Sequence, residues 1–204
     1  MSDHYYSRTP QTESDRKVYE AVLAGRTFRF VTDTGVFSKT GVDYGSRVLI
    51  DAMEFAADAK VLDVGCGYGP IGLAAAVKAP AGHVTMVDVN ERAVQLSTEN
   101  AALNHIDNVT VVQSDLYEAV TDMRFDVILT NPPIRAGKET VHRIFEEAVS
   151  LLVPGGSIWV VIQKKQGAPS AFAKLEMLYA SVREITKDKG YRIFRAVKEP
   201  SVKE

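Results

Sequence analysis

Asn131-Pro132-Pro133-Ile134 follows directly on the apolar run FDVILT, and these residue types suit one kind of chemistry. Two prolines rigidify a chain and neither offers an N–H. The Asn131 side-chain oxygen and the Pro132 carbonyl are then left as acceptors pointing in fixed directions. A planar exocyclic amine has its lone pair delocalised into its ring and is a poor nucleophile. Two acceptors that grip its hydrogens hold it for attack and favour the pyramidal geometry that frees the lone pair. Such catalysis rests on positioning and electrostatics, with no covalent intermediate. Taken alone, N-P-P is also an ordinary turn signal. Arg135 and Lys138 lie just beyond it, where they could meet a phosphate or simply flank a helix start.

The second constellation is VLDVGCGYGPIG (residues 61–72). Gly65, Gly67 and Gly69 alternate in what reads as a strand-to-helix turn, and a chain without Cβ atoms lets a ligand lie against the backbone. Asp63 precedes the first glycine by two residues. Asp88 ends the next strand, where an acid can take both hydroxyls of a ribose. A dinucleotide fingerprint would need its third glycine at position 70, which is Pro70. That proline also removes an N–H that a pyrophosphate would use at a helix start. The pattern therefore points to a nucleoside without phosphates that carries a charged amino-acid end, and S-adenosylmethionine meets that description.

Other residues that can do chemistry lack partners. Cys66, the single cysteine of the chain, has no metal or triad companion in sequence and reads as a small loop residue. His4, His83, His105 and His142 are scattered without ligand spacing, so no metal is expected. Trp159 reads as core. Lys187, Lys189, Arg192, Arg195 and Lys198, with Tyr191 and Phe194 nearby, could track a nucleic-acid backbone or be solvated charges around two core aromatics. Arg8, Arg16, Lys17, Arg26 and Arg29 form a weaker cluster.

These residues need elements to position them. The 204 residues are 46% hydrophobic and 25% charged with a net charge of −2, which excludes disordered, collagen-like and coiled-coil chains and argues against nonspecific nucleic-acid binding through net charge. No apolar run approaches the roughly 18 residues of a membrane helix, and MSDHYYSRTP lacks a secretory layout. One cysteine fits a reducing compartment, so a cytoplasmic address is expected. We read one domain over 1–204, with an N-terminal arm and hairpin over 1–43 and a core over 44–204. The arm is expected to be extended and then briefly helical, and residues 27–38 to form a hairpin turning at Asp33-Thr34-Gly35. Val48, Leu49, Ala52, Phe55 and Ala56 make one helical stripe. Thereafter strands at 60–64, 83–87, 109–113, 125–130 and 157–163 alternate with helices, one of them capped by Asn90. Pro154-Gly155-Gly156 acts as a breaker. A helix over about 169–180 and a strand pair over 181–198 follow. Such βαβ alternation predicts a mostly parallel sheet covered on both faces, with ligands at the carboxyl ends of its strands.

In order, VLDVGCGYG, VDVN, SDLY and NPPI resemble the motifs of class I S-adenosylmethionine-dependent methyltransferases over residues 60–163. GVFSKTGVDYGSRVLI (residues 35–50) resembles the segment before the cofactor domain in the small-subunit ribosomal RNA guanine-N2 methyltransferases and their single-domain relatives. The resemblance implies a Rossmann-like α/β fold with a seven-stranded sheet and a small N-terminal hairpin extension. It implies that Gly65, Gly67 and Gly69 pass under the methionine portion, with Asp63 near its ammonium group. Asp88 would hold the ribose, Val89 would pack on the adenine, and Asp115 would accept from the adenine amino group with Leu116 beside the ring. N-P-P-aromatic marks transfer to nitrogen in amides, adenine and guanine. Here Ile134 replaces the aromatic residue and stacks less strongly on a base; Phe37 is the candidate replacement. The expected reaction is methyl transfer to an exocyclic amine, guanine N2 of ribosomal RNA first among them. The expected partner is ribosomal RNA or a ribosomal particle, with no membrane, no metal and an open oligomeric state. Adenine N6, a protein glutamine, or a non-catalytic cofactor- and RNA-binding module are the alternatives.

Overall fold

A computed structural model describes residues 8–9, 12–38 and 40–201. Residues 1–7, 10–11, Lys39 and 202–204 lie outside it, including His4 and the start of the predicted arm. Lys17–Leu23 (β1) and Arg26–Thr32 (β2) pair as an antiparallel hairpin. Then come Tyr44–Ala52 (α1), Lys60–Val64 (β3), Pro70–Lys78 (α2), His83–Asp88 (β4), Glu91–Leu103 (α3), Val109–Gln113 (β5) and Phe125–Thr130 (β6). Lys138–Leu151 (α4), Leu152–Gln163 (β7), Ala168–Leu178 (α5), Ser181–Asp188 (β8) and Tyr191–Val197 (β9) complete the chain.

The large sheet has seven strands in the order β5-β4-β3-β6-β7-β9-β8. The first five are parallel, β9 runs antiparallel to β7, and β8 is antiparallel to β9. Side chains alternate between two cores, as a period of two requires. Val61, Val127, Leu129, Trp159 and Ile193 face one core, toward α1, α2, α3 and the hairpin. Leu62, Ile128, Ile158, Val160 and Phe194 face the other, toward α4 and α5. Strand order reverses at β3, whose neighbours are β4 and β6, and the crevice at that switch point is the natural ligand site. Val64 of β3 pairs with Thr130 of β6, so Gly65 and Asn131 leave adjacent strands side by side.

The hairpin is not where the sequence placed it. It turns at Ala24-Gly25, both with positive φ (50° and 74°), the geometry of a two-residue turn that matches strand twist. No helix precedes α1 among the described residues. Val18 and Val22 are apolar yet outward-facing, 58% and 63% exposed, and so they masked the inward alternation of Ala21 and Leu23. Asp33 does not turn a hairpin. Its buried carboxylate accepts from the Ser14 hydroxyl (2.7 Å) and the Asp15 and Thr34 amides (2.6 and 2.7 Å). Burial pushes that carboxyl up, but these donors and Arg92 hold it below its ordinary value.

Buried amides fasten the hairpin to α3. Asn100 Nδ2 donates to the Val31 and Tyr68 carbonyls (2.9 and 2.8 Å) while its Oδ1 accepts from Val31 N (2.7 Å). Asn104 bridges Arg29 in the same way (2.7 and 2.9 Å). Two further expectations shift. α1 stops at Ala52, leaving Phe55 half-buried and Ala56 exposed beyond it. The breaker Pro154-Gly155-Gly156 ends α4 but lies within β7, which begins at Leu152 because that residue pairs with Phe125 across a register irregularity.

Candidate active site

The loop after β3 is shaped by backbone that only glycine adopts easily. Gly65 and Gly67 have φ of +75° and +57°, and a Cβ at either would meet nothing within 4 Å, because it would project into open cleft. Gly69 (φ +105°) instead packs near Ser97 Oγ and starts α2, with Pro70 as the first helical residue. Gly72, not anticipated as important, brings α2 down on the sheet: a Cβ there would lie 2.2 Å from Met86 Sδ and 3.0 Å from Asp63 Oδ2.

A cleft opens above this loop, lined by Gly65, Gly67, Asp88, Val89, Leu116 and Asn131 among others. Asp88 sits in its floor, where Oδ2 accepts from Gly67 N and Oδ1 from Asn90 N, both at 2.9 Å. Burial pushes its carboxyl up to about 6 against those hydrogen bonds. Asp63 is placed differently. It is fully buried on β3, points toward α2, and neither oxygen has a hydrogen-bond partner. Burial, opposed by the nearby Gly72 amide and helped by the negative charge of Asp88, pushes Asp63 to about 7. Asp63 and Asp115 do not line the cleft, although Val64, Ser114 and Leu116 do. Ser114 Oγ accepts from Ala119 N (3.0 Å) and caps the short helical turn there.

The acceptor side is built from distant segments. A wider vestibule adjoins the cleft and shares Val36, Phe37, Asn131 and Pro132 with it. Ile134, Arg135, Asp43, Gln166 and Tyr191 are also among its walls. Pro133 faces the cleft. Lys138 lies outside the vestibule, in a separate hollow with His142 and Ser170. The loop bearing Phe37 is tied down by α3: Asn90 Nδ2 donates to Gly35 O (2.8 Å) and Arg92 Nη1 to Thr34 O (2.6 Å). Asn90 also caps α3, its Oδ1 accepting from Arg92 N and Ala93 N (2.9 and 3.2 Å). Gly45 lets the Tyr191 ring approach α1, since a Cβ at 45 would lie 2.7 Å from that ring.

Asn131 stands where cleft and vestibule meet. Its Nδ2 donates to Asp43 Oδ1 (3.2 Å) and Ser46 Oγ (3.1 Å), and no bond among the described residues occupies its Oδ1. Asp43 and Ser46 were not identifiable as site residues from their own chemistry. The pattern D-x-x-S before an apolar stripe signals only a helix cap.

The remaining features serve the fold. Burial pushes the Cys66 thiol well above its ordinary value, and its contacts are Ser97 and Gly67. Trp159 and Phe194 are core. Lys189 lies over the Tyr44 ring (4.6 Å), Arg195 over Trp159 (5.6 Å), and Arg192 pairs with Glu184 (3.5 Å). Arg16 pairs with Glu99, and Arg29 lies 3.9 Å from Glu20. Among the described residues no cluster of His, Cys, Asp and Glu could hold a metal, and no helix is long and apolar enough to cross a membrane.

Comparison with known proteins places this geometry. The uncharacterized protein YbxB of Bacillus subtilis is 52% identical over 200 residues, which is 97% of this chain and 100% of that one. Ribosomal RNA small subunit methyltransferase C of Escherichia coli is 30% identical over 194 residues, covering 93% of this chain and 54% of the enzyme. The Hamiltonella defensa enzyme of that name is 32% identical over 166 residues, covering 79% of this chain and 48% of its own. The chain thus spans about half the length of those enzymes. The T. thermophilus 16S rRNA N2 guanine methyltransferase, solved in complex with AdoMet and guanosine, superposes with a TM-score of 0.82 at 27% identity, over 93% of this chain and 52% of that one. A family model described as methyltransferase small domain matches residues 27–195, from β2 to β9, and the chain therefore belongs to the methyltransferase small domain family.

Proposed function

We propose that the protein is an S-adenosylmethionine-dependent N-methyltransferase acting on the exocyclic N2 amine of a guanine in ribosomal RNA. S-adenosylmethionine, when bound, supplies a methyl group activated on a sulfonium. The residues present fit that donor: Gly65 and Gly67 leave bare backbone in the cleft, and Asp88 offers a carboxylate to a ribose. Val89 and Leu116 offer apolar surface to an adenine. Asp63, buried without a partner, supplies negative potential beneath the glycine loop, suited to an ammonium group above it.

The observation that carries the proposal is the Asn131 oxygen, unbonded among the described residues, at the junction of cleft and vestibule. That oxygen and the Pro132 carbonyl accept the two amine hydrogens and aim the nitrogen into the cleft. Phe37 and Ile134 sandwich the base, and Arg135 meets the adjoining phosphate. A base in structured RNA reaches this loop only when flipped or unpaired. Positive charge that the nitrogen would gain on accepting a methyl group would be met by these two acceptor oxygens. The proton on that nitrogen becomes acidic and leaves to solvent through the open vestibule, so no strong base is needed.

The test is incubation of purified protein with isotopically labelled donor and ribosomal RNA, free and as small-subunit particles, followed by mass analysis of nucleosides and protein digests. Labelled N2-methylguanosine is the expected product. N6-methyladenosine or methylglutamine would move the reaction to another planar nitrogen, and absence of any product would leave a cofactor-binding module.

A further inference from the structure

We propose that Asp43, assisted by Ser46, is a positioning residue that fixes the Asn131 side-chain amide with its oxygen toward the acceptor amine. This inference rests on the function proposed above and concerns the same site.

An asparagine amide can be turned end for end with little change of shape, and the two orientations present opposite chemistry. With the oxygen inward, the site accepts amine hydrogens; with the nitrogen inward, it repels them. The Asn131 amide nitrogen donates to Asp43 Oδ1 and to Ser46 Oγ. A carboxylate can only accept. Turning the amide would set Asn131 Oδ1 against Asp43 Oδ1, two acceptors with no proton between them. A hydroxyl alone would not choose, because it can donate or accept. Here, however, the Ser46 hydroxyl proton is already given to Asp43 Oδ2, so Ser46 Oγ also faces Asn131 as an acceptor. Both amide hydrogens thus have acceptors, and a single orientation satisfies them.

Asp43 is itself held. It is the N-cap of α1, with Oδ1 accepting from Ser46 N at 3.1 Å. The cap that starts the helix and the bond that orients the amide share one carboxylate oxygen. Rigid support of this sort is what a positioned catalytic group needs. The negative charge also polarises the amide toward a more negative oxygen, which favours an amine gaining positive charge.

Asp43→Ser separates capping from orientation. Serine caps about as well as aspartate, but its hydroxyl is too short to reach Asn131. We expect unchanged melting temperature and cofactor Kd, KM within about 3-fold, and a kcat roughly 10- to 100-fold lower. Asp43→Asn restores an acceptor oxygen for Ser46 N and Asn131 but loses the charge and no longer takes the Ser46 proton, so it should recover only part of the turnover lost in the serine variant. A reading independent of turnover comes from the Asn131 side-chain NH2 resonances in ¹⁵N-labelled protein, which should shift in Asp43→Ser and return part of the way in Asp43→Asn. The inference is overturned if the serine variant turns over like the wild type or leaves those resonances unmoved. It is equally overturned if kcat falls only alongside melting temperature and cofactor binding. An inactive wild type whose Asn131 resonances respond as expected would retain the lock and sink the proposed reaction instead.

Discussion

The donor side of the cleft comes from consecutive strand ends of β3, β4 and β5, all between Val64 and Leu116, whereas the acceptor side gathers Phe37, Asp43, Asn131, Gln166 and Tyr191 from across the chain. The first is made largely of backbone and its hydrogen bonds, such as Gly67 N to Asp88. The second is made of side chains held by other side chains, Asn131 by Asp43 and Ser46 above all. Backbone geometry at a strand end is written in local residue types. Side-chain geometry between residues 43 and 131 is created only by folding. The division also separates effects: damage to the first side should change cofactor affinity, and damage to the second should change turnover.

Asn131→Ala offers the largest expected effect. Removing an acceptor aimed at the reacting amine should lower kcat by about 10²–10³ while cofactor Kd stays within about 3-fold. Calorimetry and single-turnover assays on one preparation check both; a Kd that rises with the loss of kcat would erase the distinction between sides. Gly67→Val should do the reverse. A β-branched residue at φ +57° is strained and its side chain enters the cleft, so cofactor Kd should rise by about 10- to 100-fold. The residual kcat at saturating cofactor should be far less affected.

A smaller effect follows from the raised carboxyls of Asp63 and Asp88, at about 7 and about 6. The charged forms suit the donor, so cofactor affinity should be complete above pH 8 and decline as pH falls through these values. Binding at pH 6.5 should release protons, which calorimetry in buffers of different ionisation enthalpy detects. For the free protein the sign is opposite. The folded state holds protons that the unfolded carboxyls lose near pH 4, so stability decreases as pH rises from there toward 7. Asp63→Asn should flatten that decline in denaturant melts measured from pH 4 to 8. The smallest effect is at Phe37, which is 41% exposed on the loop tied to α3. Phe37→Ala should raise KM for RNA about 3- to 10-fold through lost stacking, with kcat nearly unchanged.

The same contrast explains what the residues alone revealed. The limits of β3, β5 and β6 coincide with the sequence reading, because short apolar strands bounded by glycine, proline and other turn residues carry strong local signals. The β1–β2 hairpin was misplaced because Val18 and Val22 point outward and Ala24-Gly25 is a weaker turn signal than Asp33-Thr34-Gly35. Asp63 is buried beneath the glycine loop, and neither it nor Asp115 is among the residues that line the cleft, although their neighbours Val64, Ser114 and Leu116 are. Motif spacing carries a residue to the right strand end without fixing its side-chain direction. Asp43 and Ser46 had no signal beyond helix capping, since their partner is 88 residues from Asp43.

A crystal structure with S-adenosylhomocysteine and guanosine tests the central geometry most directly. The account predicts the thioether nucleoside lying over Gly65–Gly67 and Asn131 Oδ1 within about 2.7–3.2 Å of the exocyclic nitrogen, with Asn131 Nδ2 still bonded to Asp43. A nucleoside bound elsewhere, or an Asn131 amide turned with its nitrogen toward the guanine amine, would contradict it.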